Sequence, residues 1–116
     1  MKKIIKFRYR VKDLDNDRII VYSKTLREIE AGLIILNHRS YKVLSRDEFT
    51  GLKDKNGKEI YCSDYIGVSR EKYGKVYWQE SELAWWVDPI GAYPNEPLRG
   101  KGSAVEVLGN EYEGLQ

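Results

Sequence analysis

Three aspartates have the spacing with which a calcium-binding loop begins. Asp13, Asp15 and Asp17 stand where the first, third and fifth residues of such a loop would lie. Carboxylates there supply oxygen ligands, and a glycine and a bidentate glutamate complete the loop. Arg18 stands in place of the glycine and Lys24 in place of the glutamate. We therefore predict a turn at these residues, and no metal site.

Nucleophilic catalysis would need a base beside a cysteine, serine or threonine. The chain has one histidine, His38, and one cysteine, Cys62, and no flanking motif supports a triad. With 18 Asp and Glu residues, a close carboxylate pair is expected by chance and does not predict a glycosidase. No phosphate-binding glycine motif is present. We expect no enzymatic activity, no cofactor, and Cys62 as a small buried or half-buried residue.

The aromatic residues are more informative, because three Trp and nine Tyr occur in a short chain. Alternation along two predicted strands buries Trp78 and Trp85 on one face and leaves Tyr77 and Trp86 on the other. An uncovered tryptophan is a typical anchor for a protein partner. The candidate protein-binding residues are therefore Tyr77, Trp86 and, in the following loop, Tyr93.

Two interpretations of the long loop at Pro89–Ser103 stay open. The loop has three prolines and three glycines, and it is longer than most connections. It either covers Trp86 within one molecule or joins Tyr77 and Trp86 in a contact between copies. Because a small β protein must also protect its strand edges, we favour a homo-oligomer. A different protein is the other expected partner.

The basic residues suggest an alternative function, nucleic-acid binding. They alternate with apolar residues, so one face of a predicted strand is basic. Such a face, with aromatic side chains nearby, is typical of phosphate contact and base stacking. The residues of this basic ladder are Lys6, Arg8, Arg10 and Lys12.

The distribution of charge weighs against that alternative. Residues 1–46 hold 12 Lys and Arg against 5 Asp and Glu, a balance of +7. Residues 47–116 have a balance of −5, so the net charge is only +2. A nucleic-acid-binding domain is usually more basic. The asymmetry therefore favours attraction between the two halves, within one fold or between subunits.

Local patterns predict a mainly β fold with one short helix near residues 25–31. Thr25 and Glu28 have the capping-box spacing, and Asn56-Gly57 is the strongest two-residue signal for a hairpin, in a turn where both residues have positive φ. We expect a small, strongly bent, barrel-like domain of SH3 type that spans residues 1–116. The strands are predicted at residues 5–11, 18–22, 33–36, 41–44, 65–68, 75–78, 83–88 and 104–108, and one core cluster at Phe7, Trp78, Trp85 and Val107.

Hydropathy gives the expected location of the protein. No apolar run approaches the roughly 18 residues that a membrane span needs. The chain begins with lysines, but Lys6, Arg8 and Arg10 interrupt the apolar residues that a signal peptide would require. We therefore expect a cytoplasmic protein with no membrane partner.

Four segments carry a resemblance to known proteins, in order along the chain: Ile5–Arg8, Phe49–Tyr61, Gly74–Trp78 and Val107–Glu113. Together they resemble the YopX family of small proteins found mainly in phages and prophages of Gram-positive bacteria. Phe49–Tyr61 is the most distinctive and resembles the family signature. With this origin, the other expected partner is a host or phage protein. The resemblance implies a phage origin, a β fold and a cytoplasmic location in a bacterial host, and it brings no catalytic residues.

The chain departs from the family pattern directly after this signature. The family usually has glutamate and glycine before an aspartate, whereas Cys62 and Ser63 precede Asp64 here. Serine tolerates positive φ less readily than glycine. The substitution therefore puts in doubt a tight left-handed turn at Ser63.

Overall fold

A computed structural model describes residues 4–31, 40–68, 71–89, 94–99, 104–112 and 114–115. Most of these residues lie in strands and one short α-helix is present, which confirms the predicted mainly β fold. The strands are β1 (Lys6–Asp13), β2 (Arg18–Thr25), β3 (Tyr41–Lys53), β4 (Glu59–Tyr61), β5 (Asp64–Val68), β6 (Glu71–Gln79), β7 (Ala84–Pro89), β8 (Glu96–Pro97), β9 (Glu106–Asn110) and β10 (Gly114–Leu115).

The chain forms two compact units, Met1–Phe49 and Thr50–Gln116. Strand β3 begins in the first unit and ends in the second. That residues 1–116 form one domain stays a prediction. Two segments singled out in the sequence, the strand at residues 33–36 and the histidine His38, lie outside the described residues.

The sheet of the first unit places β1 between β2 and the beginning of β3, both antiparallel to it. It is strongly curled, and the register of β1 with β3 shifts between Arg10 and Val11. A bulge of this kind increases local twist, which accounts for part of the bend. Among the described residues of this unit, the buried apolar ones are Tyr9, Val11 and Phe49.

The helix α1 (Leu26–Glu30) begins where the capping box predicts. Thr25 accepts a hydrogen bond from the backbone N–H of Glu28 (3.2 Å), and the Glu28 carboxylate accepts one from the backbone N–H of Thr25 (2.9 Å). The bond from the Thr25 backbone N–H, together with one from the Thr25 hydroxyl to the same carboxylate (3.1 Å), lowers the pKa of Glu28. Over the described part of the chain, no helix has the length and apolar character to cross a membrane.

The second unit contains a six-stranded antiparallel sheet in the order β10-β9-β5-β6-β7-β8. One face of this sheet carries an aliphatic core, and Leu52, Trp85 and Val107 pack against it. Paired positions share a face, so the fully buried pair Val76 and Val87 marks the core side of β6 and β7. The core residues are Ile60, Ile66, Val76, Val87, Leu98 and Val105.

The predicted buried cluster is wrong: Trp85 and Val107 are half-buried against the aliphatic core, and Trp78 and Phe7 are not part of it. Trp78 lies on the core face as expected, but it is 41% exposed, because it follows the last buried pair and stands beside the β6–β7 connection. Phe7 belongs to the first unit, where the guanidinium of Arg46 lies 4.9 Å above its ring. Alternation identifies the face of a side chain but not where the core ends along the strand.

The hairpin at Asn56-Gly57 is present, but its turn is of a different type from the one predicted. Gly57 has a φ of 81°, and Asn56 is not among the residues with positive φ. Gly57 N–H donates to the Asp54 carbonyl (3.0 Å), and Asp54 N–H donates to the Lys58 carbonyl (2.8 Å). This pattern matches a turn that ends in a left-handed glycine bulge.

Ser63 adopts a left-handed conformation, although serine tolerates positive φ less readily than the glycine that the family usually has there. Its φ is 71°. The Ser63 N–H donates to the Val76 carbonyl (2.8 Å), and its carbonyl accepts from the Glu111 N–H (3.0 Å). Neighbouring strands therefore hold a conformation that is unfavourable for a serine by itself.

We expect Gly57→Val to reduce the free energy of unfolding by about 1–2 kcal/mol, the cost of a left-handed conformation in a residue with a Cβ. No atom lies within 4 Å of a Cβ built at Gly57, so backbone strain accounts for the loss. Gly57→Asn is the matched control, with a smaller loss because asparagine tolerates this conformation. Urea denaturation measures both variants, and equal stability of Gly57→Val and wild type would contradict the turn described above.

Candidate functional site

The outward face of the six-stranded sheet carries a row of three side chains, Tyr77, Trp86 and Pro97, which we call the aromatic row. Tyr77 is the cross-strand partner of Trp86, and Trp86 is the partner of Pro97. All three therefore lie on the side opposite the buried pair of Val76 and Val87. Tyr77 and Trp86 are half-buried and Pro97 is exposed.

The loop after β7 covers part of the aromatic row. Its residues Glu96 and Pro97 form β8, which pairs with β7 at Val87 and Trp86. The side-chain amide of Asn95 donates a hydrogen bond to the Tyr77 hydroxyl (2.7 Å). The loop thus supplies Pro97 to the row and leaves Trp86 half-buried. Tyr93, the third candidate residue, lies outside the described residues.

On this face, charged side chains flank the aromatic row on one side and uncharged side chains flank it on the other. Lys75 and Asp88 are cross-strand partners, and each lies two residues along its strand from Tyr77 or Trp86, on the same face. The Lys75 ammonium lies 3.7 Å from the carboxylate of Glu111. An apolar centre with charged neighbours is typical of a protein-binding surface.

The side chains of the basic ladder are less exposed to solvent than the alternation of residues predicts. The Arg8 guanidinium pairs with the Asp47 carboxylate at 2.9 Å, and both side chains are largely buried. Arg10 is only 9% exposed. The Lys6 ammonium lies 5.4 Å from the centre of the Phe49 ring.

The fourth residue of the ladder, Lys12, has a largely solvent-accessible ion pair, with Asp17 at 3.2 Å. Phosphate contact requires several cationic groups that reach the surface together. With Arg8 and Arg10 buried, the strand does not present four cations in a row. This placement removes the main support for nucleic-acid binding, which stays an untested prediction.

The aspartates that resemble a calcium loop form a turn. The buried Asp13 carboxylate accepts hydrogen bonds from the backbone N–H of Asp15 (3.1 Å) and from the Asn16 amide (2.8 Å). The Asn16 side chain is the main reason that the pKa of Asp13 is lowered. In the regions that the structure describes, no three His, Cys, Asp or Glu side chains are grouped to hold a metal ion.

Cys62 is half-buried, which agrees with its expected packing role. Its sulfur lies 3.8 Å from the Ser63 hydroxyl.

The role of Asp54 as a buried hydrogen-bond acceptor was not predicted from the sequence, although the hairpin around it was. Asp54 is 6% exposed, and its carboxylate accepts three backbone N–H groups, from Asn56 (2.8 Å), Lys58 (2.9 Å) and Val107 (2.9 Å). The two bonds within the turn have a sequence signal, an aspartate just before Asn-Gly. The bond to Val107 has none, because it joins distant parts of the chain.

The family model described as YopX protein matches residues 8–114 of the chain. Because the match covers nearly the whole sequence, the protein belongs to the YopX family, as the four segments indicated. A comparison with curated proteins gives no match. The family assignment includes both the signature hairpin and the strands that carry the aromatic row.

We expect Asn16→Ala to raise the pKa of Asp13 towards the ordinary aspartate value, because the variant removes the main stabilising hydrogen bond. A carboxylate whose pKa is lowered by folding stabilises the protein above its unfolded pKa of about 3.9, and this contribution is lost as the pH falls through the folded value. NMR titration of the Asp13 carboxyl carbon measures the change. Asn95→Ala, whose amide bonds Tyr77 instead, is the control, and an unchanged Asp13 pKa in Asn16→Ala would contradict the described turn.

Proposed function

We propose that the protein is a non-enzymatic accessory protein of a phage or prophage that acts by binding another protein. The aromatic row is the observation that carries this proposal. Tyr77 and Trp86 bring large rings with few rotatable bonds to one side of a rigid sheet, so little conformational entropy is lost when a partner covers them. The phage origin is supported by the YopX resemblance of the sequence.

The packing of the row supports a binding role over a purely structural one. Aromatic side chains on strands contribute to stability through cross-strand pairs, and Tyr77 with Trp86 forms one. The aliphatic core, however, lies on the opposite face of β6 and β7. A half-buried tryptophan beside an exposed proline leaves apolar area that binding of a second molecule would remove from water.

The partner surface has a defined chemistry under this proposal. It brings apolar side chains to the aromatic row and polar groups of both signs to its border, where Lys75 and Asp88 lie. Burial of the aromatic row would supply most of the affinity, and the charges at the border would set orientation and the rate of encounter. A host protein and a phage protein both fit this description.

Capture of partners from a bacterial host extract tests the proposal with paired variants. Trp86→Glu places a charge in the proposed contact and should abolish capture of any specific partner. Val68→Glu adds the same charge at a 51% exposed position on β5 and should leave capture unchanged. Pro97→Glu alters the exposed end of the aromatic row with little effect on packing, so it separates lost binding from lost folding.

A protein retained by wild type and Val68→Glu but lost with both Trp86→Glu and Pro97→Glu is the expected outcome. Quantitative mass spectrometry of the captured fractions provides the measurement, with circular dichroism as the check on folding. Equal capture by all four proteins would reject the aromatic row as the binding surface. The absence of any protein above background with wild type would reject the proposed function.

A further inference from the structure

The connection between β6 and β7 exposes apolar side chains beside acidic ones. Residues Glu80–Glu82 form a single 3-10 turn, and Trp78 and Leu83 flank it. Trp78 is 41% exposed and Leu83 is 72% exposed. We call this set, Trp78, Glu80, Glu82 and Leu83, the acidic tip.

Leu83 ends the 3-10 turn in a conformation that would suit glycine better, and its N–H donates a hydrogen bond to the Glu80 carbonyl (3.2 Å). Its φ of 49° is left-handed, which costs a residue with a side chain about 1–2 kcal/mol. The side chain gains little in return, because most of it remains in water. Glycine would make the same turn without the cost, so leucine at this position points to a contact outside the monomer.

Trp78 is held in place before any contact forms. Its indole N–H donates a hydrogen bond to the Glu80 carboxylate (2.6 Å), and its ring meets the ring of Trp85 edge-on at 5.1 Å. Both contacts restrict the rotamer of a side chain that is still 41% exposed. Such an anchor loses little entropy on association.

A surface of complementary charge lies on the sheet of the first unit. Ile19 and Val21 on β2 are 50% and 47% exposed. Lys12 on β1 is the cross-strand partner of both Ile19 and Lys42, so the three side chains share a face with Val21. We call Lys12, Ile19, Val21 and Lys42 the basic face.

We propose that the acidic tip of one copy of the protein docks on the basic face of a second copy. Each surface offers two exposed apolar side chains, and two carboxylates on one meet two ammonium groups on the other. The exposed pair of Lys12 with Asp17 is weak enough to be exchanged for the new contact. The proposal goes beyond the proposed function, and neither depends on the other, because the aromatic row uses different residues.

Two different surfaces meet in this contact. The contact is either reciprocal, so that each tip lies on the face of the other copy in a two-fold dimer, or heterologous, so that the pair keeps one free tip and one free face and association continues until a ring closes or a filament extends. In both arrangements the contact weakens as salt rises, because exposed charges contribute to it.

Light scattering over a range of protein and salt concentrations tests the proposal. Wild type should give masses above 13.6 kDa that fall with dilution and with added salt. Leu83→Gly should weaken association at least about tenfold, because it removes an anchor of the contact while relieving backbone strain. Val68→Ala removes a comparably exposed apolar side chain and should leave association unchanged.

A charge exchange identifies the two surfaces directly. Glu80→Lys with Glu82→Lys makes the tip basic, and Lys12→Glu with Lys42→Glu makes the face acidic. Each double variant alone should be monomeric, since like charges would meet, whereas an equimolar mixture should associate again. If the change at Lys12 impairs folding, the single variant Lys42→Glu replaces the double variant, because Lys42 is exposed. Lys42→Glu should weaken association of an otherwise wild-type chain.

Three outcomes would overturn the proposal. The first is a wild-type protein that remains a monomer at high concentration. The second is an oligomer that Leu83→Gly leaves unchanged, although circular dichroism shows the variant folded. The third is a mixture of folded double variants that stays monomeric. None of these results bears on partner capture by the aromatic row, so failure here leaves the proposed function intact.

Discussion

The carboxylate of Asp54 is the interaction on which the second unit depends most. One of its oxygens accepts the N–H groups of Asn56 and Lys58 and closes the signature hairpin. The other accepts the N–H of Val107, 53 residues along the chain, in β9. Hydrogen bonds to a charged group contribute about 1.5–3 kcal/mol each, and their donors here would otherwise be left without an acceptor in a largely buried place. A single side chain thereby fixes a local turn and a distant strand together.

The position of β9 determines where the β6–β7 hairpin, and the side chains on it, are held in the sheet. Strand β9 pairs with β5, β5 with β6, and β6 with β7, so the hairpin of β6 and β7 is held through this series of pairings. One face of that hairpin packs on the aliphatic core, and the other carries the aromatic row. Its connection carries the acidic tip. The aromatic row therefore lies on rigid strands and the acidic tip at their ends, where association needs little reordering.

Local features of the structure were predictable from the sequence because their causes are local. The helix follows from the capping box of Thr25 and Glu28, and the outward position of Trp86 follows from alternation along its strand. The type of the hairpin turn was not predictable from Asn56-Gly57 alone. It depends on Asp54, whose carboxylate also binds a distant strand.

The burial of the basic ladder and the exposure of Trp78 arise from contacts distant in sequence. Arg8 is drawn to Asp47, 39 residues away, so alternation could identify its face but not its ion pair. Trp78 has the spacing of a core residue, and only the end of the core along β6 leaves it exposed. Leu83 carries no sequence signal of its left-handed backbone, since glycine is the residue that normally indicates it. The acidic tip and the burial of Arg8 and Arg10 therefore needed the structure, whereas the fold class and the outward position of Trp86 did not.

The most direct test is amide hydrogen exchange at Val107, Asn56 and Lys58 in wild type and in Asp54→Ala. Alanine removes both carboxylate oxygens, so all three N–H groups lose their acceptor. We predict that exchange at these three amides accelerates together, by about 10-fold or more relative to the other amides of the sheet. Unchanged exchange at Val107, or acceleration confined to the turn, would contradict the claim that one carboxylate joins the hairpin to β9.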